Sequence, residues 1–199
     1  MKNRLIWISR RHHQLLNIKN TMTILLIILA VPLSIIAIVL VAGVFIKKDF
    51  TIEKDIIVLK PASEVFDYIR LQKNQSNYNK WWMIDPDSKK EYRGTDGTVG
   101  FVAAWDSDNR QAGKGEQEIK RIDDQQIDCE IRFERPFRGV SYTTMTASPA
   151  GTNQTNVMWT FKGENKFPLN AVFAIFGLQK ALAKDLQLSL ENLRNIVEH

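Results

Sequence analysis

Histidine and cysteine are nearly missing from this 199-residue chain. Of the three histidines, His12 and His13 precede a long apolar run and His199 is the last residue. The body of the chain therefore has no imidazole for a Ser-His-Asp or Cys-His nucleophile, nor for a His-rich zinc site. The single cysteine, Cys129, cannot form an intramolecular disulfide or a thiolate metal cluster. No metal and no cofactor is expected. Negative charge is missing from one region only. Residues 1–47 hold six Lys/Arg (Lys2, Arg4, Arg10, Arg11, Lys19, Lys47) and no Asp or Glu, whereas the rest holds 21 Lys/Arg against 22 Asp/Glu. The net charge of +5 thus belongs to the N-terminal arm. A nucleic-acid binder concentrates positive charge on its folded domain, because phosphate neutralisation supplies most of its affinity, so no nucleic-acid partner is expected.

What is present first is a charge-free run of 25 residues, Met22–Ile46. About 20 apolar residues cross a bilayer. Pro32 and Ser34 are tolerated in a membrane helix, and a buried core helix would show a polar face. A cleaved signal peptide competes with this reading. It would have a shorter apolar region, typically about 7–15 residues, and an Ala-x-Ala site. The expectation is an uncleaved anchor over 22–46 with the bilayer as partner, preceded by a basic segment, 1–21. That segment reads equally as a surface-lying helix or a disordered tail. Five Lys/Arg precede the anchor and four follow it closely (Lys47, Lys48, Lys54, Lys60), which favours a cytoplasmic N-terminus and an extracytoplasmic domain on a cell membrane.

Beyond the anchor, residues 50–199 read as one α+β domain. Phe50–Leu59 reads as a strand ending at Lys60-Pro61. Ser63 is an N-cap candidate for a helix carrying Val65, Phe66 and Ile69. Residues 72–82 read as a short helix or a loop. Strand-like runs follow at Lys89–Arg93, Val99–Trp105, Gln111–Ile122, Gln126–Glu134, Val140–Ala147 and Thr155–Phe161. In the fourth, Ile127, Cys129, Ile131 and Phe133 alternate with Asp128, Glu130, Arg132 and Glu134, the pattern of a strand with one buried face. Gly94 and Gly97 suit turn positions. Pro168 opens a helix running to Ile196, with apolar residues from Leu169 through Phe176, Leu186 and Leu193 at spacings of three and four. Gly177 sits inside it at a cost of ~1 kcal/mol relative to Ala. A curved antiparallel sheet with one long helix across it is a two-layer arrangement.

The stretch Ile57-Val58-Leu59-Lys60-Pro61-Ala62-Ser63-Glu64-Val65-Phe66, then Trp81-Trp82, Asp85-Pro86, Gly94, Gly97, Gly100, Trp105, Gly113-Lys114-Gly115-Glu116 and Phe133-Glu134-Arg135-Pro136-Phe137, resembles the START-like (SRPBCC) superfamily. Its bacterial members are described as polyketide cyclase/dehydratase-like. The resemblance covers about residues 50–197 and implies a helix-grip fold: a curved sheet wrapped around a long C-terminal helix, with a cavity for an apolar molecule between them. Mapped here, the cavity walls would include Phe101, Trp105, Phe133, Tyr142, Trp159, Phe173 and Phe176. Trp105 and Trp159 are singled out because an indole on an inner face can offer its N–H to a ligand. Aromatics at these spacings are more often packed core.

Three functions stay open. The leading one is a membrane-anchored domain binding an apolar or amphipathic small molecule, lipid or polyketide-like, and not an enzyme. The second is a cyclase- or hydrolase-like enzyme with a carboxylate or Tyr as acid/base; Glu116 and Glu118 share a strand face, and Tyr142 is the tyrosine candidate. The third is a regulatory module that docks a protein partner, whose identity the sequence does not supply. Cys129 reads as inert core.

Overall fold

The computed structural model describes the backbone from Lys2 and the side chains from Met22. The chain divides into two compact units, Met1–Ile46 and Lys47–His199. The first is a single helix, α1 (Lys2–Phe45). Its Met22–Phe45 portion is long and apolar enough to cross a membrane, with a mean hydropathy of 3.3 over its most apolar stretch, and its side chains are almost all exposed. Ser34 sits two residues after Pro32 and donates its hydroxyl to the Val31 carbonyl at 2.8 Å, which satisfies that proton without solvent. The surface-lying reading of residues 1–21 turns on side chains outside the described ones.

The second unit is a seven-stranded antiparallel sheet with helices on its inner face. The strands are β1 (Asp49–Val58), β2 (Lys89–Arg93), β3 (Val102–Asp106), β4 (Lys114–Ile122), β5 (Gln126–Arg135), β6 (Gly139–Gly151) and β7 (Gln154–Glu164). Their order is β1-β7-β6-β5-β4-β3-β2. Strands β2 to β7 form a meander, and β1 closes onto β7 with Asp49 opposite Glu164 and Val58 opposite Thr155. Between β1 and β2 lie α2 (Ala62–Ile69), a 3-10 turn (Gln72–Asn74), α3 (Gln75–Tyr78) and α4 (Lys80–Met83). The chain ends with α5 (Leu169–Ile175) and α6 (Leu178–Glu198).

Alternation decides the core. On β5, Ile127, Cys129 and Ile131 are buried and Phe133 is half-buried, all on one face. Registered with them are Thr143 and Met145 of β6 and Trp159 and Phe161 of β7. Leu186, Leu190 and Leu193 of α6, one stripe at helical spacing, are fully buried against this face together with Val65, Phe66 and Ile69 of α2. Each fully buried Leu contributes about 2 kcal/mol by transfer alone.

Two local expectations change. Ser63 is not the cap of α2. Pro61 holds that place with φ −60°, and no side chain caps the helix; the first turn is instead tied by the Lys60–Glu64 ion pair at 3.1 Å. The closing helix is not continuous either. Gly177 adopts φ +63°, a left-handed backbone that ends α5 and begins α6. A Cβ there would meet nothing within 4 Å, so the cost of a side chain is conformational and not steric.

Gly177→Ala should therefore lose about 1 kcal/mol, and Leu190→Ala about 2–5 kcal/mol, both read from urea unfolding of the purified chain.

Candidate functional site

The inner face is filled from one end. At the β1 C-terminal end, Ile56, Val58, Val157 and Ala147 close the layer under α2 and α6. In the middle, Tyr78 is fully buried and its hydroxyl donates to the Met145 sulfur at 3.8 Å. Burial pushes this phenol well above the ordinary tyrosine range. A buried amide chain crosses from helix to sheet. Gln117 Nε2 donates to Gln72 Oε1, Gln75 Nε2 donates to the same oxygen at 2.7 Å, and Asn79 Nδ2 donates to Gln75 Oε1 at 2.8 Å. Asn79 also caps α4, accepting from the Trp81 N–H at 3.1 Å. This network fixes the 3-10 turn and α3 on β4, because an amide left unpaired at such burial costs about 1–3 kcal/mol.

Toward the opposite end of the sheet the inner face changes character. Tyr92 stacks on Phe101 (centroids 6.1 Å apart) and on Trp82 (6.5 Å), Trp82 meets Trp105 at 5.8 Å, and Trp105 meets Phe133 edge-on at 6.1 Å. The rings lie close to the sheet because small residues stand across from them. A Cβ on Gly115 would come within 2.8 Å of the Trp105 ring, and one on Gly163 within 2.7 Å of Phe50. Phe50, Trp105 and Phe133 are only partly buried. This aromatic end is the candidate site.

The seven sequence-derived wall residues separate into three groups. Trp105 and Phe133 meet at the aromatic end, and Phe173 of α5 is half-buried. Phe101 and Trp159 are core, the latter 4% exposed. Tyr142 and Phe176 do not line an inner wall. Tyr142 is 55% exposed on the outer face, because the inward residues of β6 are Ser141, Thr143 and Met145. Phe176 is 73% exposed, because the break at Gly177 turns it off the α6 stripe. Neither indole offers a free N–H. Trp105 Nε1 donates to the Ala112 carbonyl at 2.9 Å, and Trp159 Nε1 to Thr143 Oγ1 at 2.6 Å. Sequence reasoning missed Phe50, Trp82 and Tyr92. Phe50 alternates in phase with Ile52 and Ile56, a signal that was legible; Tyr92 lies on a charged strand that gives none.

The outer face carries the carboxylates. Arg132 sits among Glu116 (Nε to Oε1, 2.9 Å), Glu118 (2.8 Å) and Glu130. Lys120 reaches Glu118 at 2.9 Å, and Arg93 reaches Glu116 and Glu91. Burial would raise the Glu116 carboxyl, but hydrogen bonds from Arg93 and Arg132 outweigh it and hold it below the usual range. Hydrogen bonds from Lys120 and Arg132 do the same for Glu118. Both are held as anions on the wrong face for the inner site, so neither is placed to donate a proton there. Cys129 is inert core as expected: burial pushes its thiol up to about 12. Among the described residues, no group of three or more His, Cys, Asp or Glu could hold a metal ion.

No family model matches the chain. No curated protein matches it in sequence. Solved structures do match in shape. Truncated norcoclaurine synthase from Thalictrum flavum superposes with a TM-score of 0.55 at 14% identity, covering 77% of this chain and 98% of that one. A hypothetical protein from Helicobacter pylori gives 0.57 at 11%, covering 75% and 89%. The di-domain aromatase/cyclase BexL gives 0.56 at 12%, covering 76% of this chain and half of that one. The chain has a helix-grip fold. At these identities the likeness establishes architecture and leaves activity to the site itself.

The depressed Glu116 and Glu118 values give a signed prediction. Their folded values lie below the unfolded ones, so the stabilisation is complete above about pH 4.5 and disappears as pH falls through the folded values. Urea midpoints measured from about pH 6 down to about pH 3 should fall in the wild type and fall less steeply in Arg132→Gln, whose carboxylates lose their shared partner. The loss at neutral pH should be about 1 kcal/mol or less, since the cluster is largely solvated.

Proposed function

We propose that this is a single-pass membrane protein whose helix-grip domain binds a small apolar or amphipathic molecule at the aromatic end of its inner face. The carrying observation is the uneven filling of that face. One end is closed by aliphatic side chains and an amide network, while the other presents partly buried Phe50, Trp105 and Phe133, with half-buried Phe173 on the helical side. Aromatic side chains left partly open on a concave face are what an apolar ligand site requires. Two solved relatives support the reading by their class. Norcoclaurine synthase is known in complex with dopamine and hydroxybenzaldehyde, both small aromatic molecules. BexL is an aromatase/cyclase. The apolar α1 segment anchors the domain, and the excess of Lys/Arg before it favours a cytoplasmic N-terminus with the domain outside.

Native mass spectrometry of the full chain, released gently from detergent, tests the ligand directly. The wild type should carry a reproducible added mass that organic extraction removes. Phe133→Trp, which fills the aromatic end, should abolish it, and Tyr142→Ala on the outer face should leave it unchanged. A clean apo mass in all three, even after exposure to a lipid extract, would sink the reading.

A further inference from the structure

The aromatic end of the domain is also the end at which the chain enters it. The cross-strand register places the start of β1 beside the end of β7, with Asp49 opposite Glu164. The Asn165 N–H donates to the Lys48 carbonyl at 2.9 Å. The β5–β6 hairpin lies at this same end, since Gly163 stands opposite Ser141 and Phe133 opposite Gly139. α6 confirms the polarity. Its C-terminal Glu198 accepts from the Leu59 N–H at 2.7 Å, past the far end of β1. A helix of 21 residues spans about 30 Å, close to the length of a ten-residue strand at about 3.3 Å per residue. The start of α6, and Phe176 before it, therefore lies at the chain-entry end.

Four large apolar side chains project into solvent there. Phe137 is 54% exposed, Phe167 46%, Ile175 56% and Phe176 73%. They come from three separate segments: the β5–β6 hairpin, the β7–α5 connection and the α5–α6 junction. Exposed Arg138 and Lys166 stand beside Phe137 and Phe167 in sequence, exposed Lys47 and Lys48 lie at the start of β1 at the same end, and none of the four forms an ion pair among the described residues. The exposed acids at this end are Asp49, Asp87, Asp108, Glu134 and Glu164, of which Glu134 is paired with Lys114 at 3.4 Å. Aromatic tips interleaved with unpaired cations are the composition that settles at a bilayer surface.

We infer that Phe137, Phe167, Ile175 and Phe176 insert into the lipid interface, so that the aromatic end of the domain faces the bilayer. The occupant is fixed by tether length. The span ends at Phe45, and only Ile46 and Lys47 separate it from Lys48, which is already bonded into the sheet end. Three Cα steps reach at most about 11 Å. Whatever angle the two units take, this end stays within reach of the bilayer surface, and a soluble partner of any size would compete with lipid for it. The inference rests on the anchor reading of α1. It adds that a ligand would pass between bilayer and site without crossing water.

The test uses the full chain, with Cys129→Ser to remove the background thiol, in proteoliposomes of phosphatidylcholine with anionic phosphatidylglycerol. Single cysteines at Phe137→Cys, Phe176→Cys and, as the far-end control, Asp124→Cys carry an environment-sensitive NBD label. Replacing part of the lipid with brominated phosphatidylcholine should quench labels 137 and 176 about twofold or more, as for groups about 5–10 Å deep in the interface, and leave 124 unquenched. Equal quenching at all three sites, in vesicles that retain the protein through alkaline carbonate washing, would overturn the insertion while leaving the anchor intact. A blue-shifted but unquenched label at 137 and 176 would show a protein surface covering the patch, and would overturn it too. Loss of the chain from the vesicles on carbonate washing would remove the anchor and the insertion together.

Discussion

The domain depends on one constraint: every strand of the sheet alternates in a shared register, so each residue belongs to one face and cannot trade sides. On β4 and β5 this puts Gln117, Ile119, Cys129 and Ile131 inward and Glu116, Glu118, Glu130 and Arg132 outward. Glu118 and Glu130 face each other directly, which would repel. Arg132 resolves this by reaching three carboxylates at once, and Lys120 by bridging Glu118 and Glu130. The ladder is a consequence of the register. It stabilises the outside of the sheet modestly and does no chemistry in the inner site.

The same constraint explains how much was legible. Positions where alternation is strong were read with their faces correct: β5 within a residue and the Leu186–Leu190–Leu193 stripe of α6; of β2 only the bounds were read. Failures occur where a local backbone conformation overrides the pattern. A period of 3.6 continued through Gly177 places Phe176 inward, but the left-handed backbone at that residue restarts the helix with a new phase. Tyr142 was mapped as a wall residue from the family resemblance, although Ser141 and Thr143 on either side are the buried ones. In that strand the inward residues at one end are small and polar, so hydrophobicity points to the wrong phase. The amide chain Gln117–Gln72–Gln75–Asn79 could not be found from sequence, because polar residues 45 positions apart carry no periodic signal.

Small inward residues and partly open rings occur at the same end for one reason. Gly115, Gly139, Ser141 and Gly163 remove side-chain volume from the inner face, and Phe50 and Trp105 lie down into the space. Rings held this way lie against the sheet and stay only partly buried. Trp105 is tethered further by its bond to Ala112, which fixes the indole plane. A rigid aromatic platform of this kind recognises a flat apolar molecule by area and not by hydrogen bonds, since both indole N–H groups are already used.

This bears on what an enzyme reading would need. A proton donor must touch the site, and the titratable groups examined by sequence, Glu116, Glu118 and Tyr142, all lie on the opposite face. Tyr78, Tyr92 and Cys129 do face inward, and burial raises all three; of these Tyr92 stands in the candidate site, stacked between Trp82 and Phe101. The inner amides and Thr143 are bonded to one another or to the backbone, and Lys90, opposite Trp105, donates to the Pro86 carbonyl at 2.9 Å. The aromatic platform at this end therefore rests on ring packing and on indoles whose N–H groups are already bonded, not on a charged carboxylate pair.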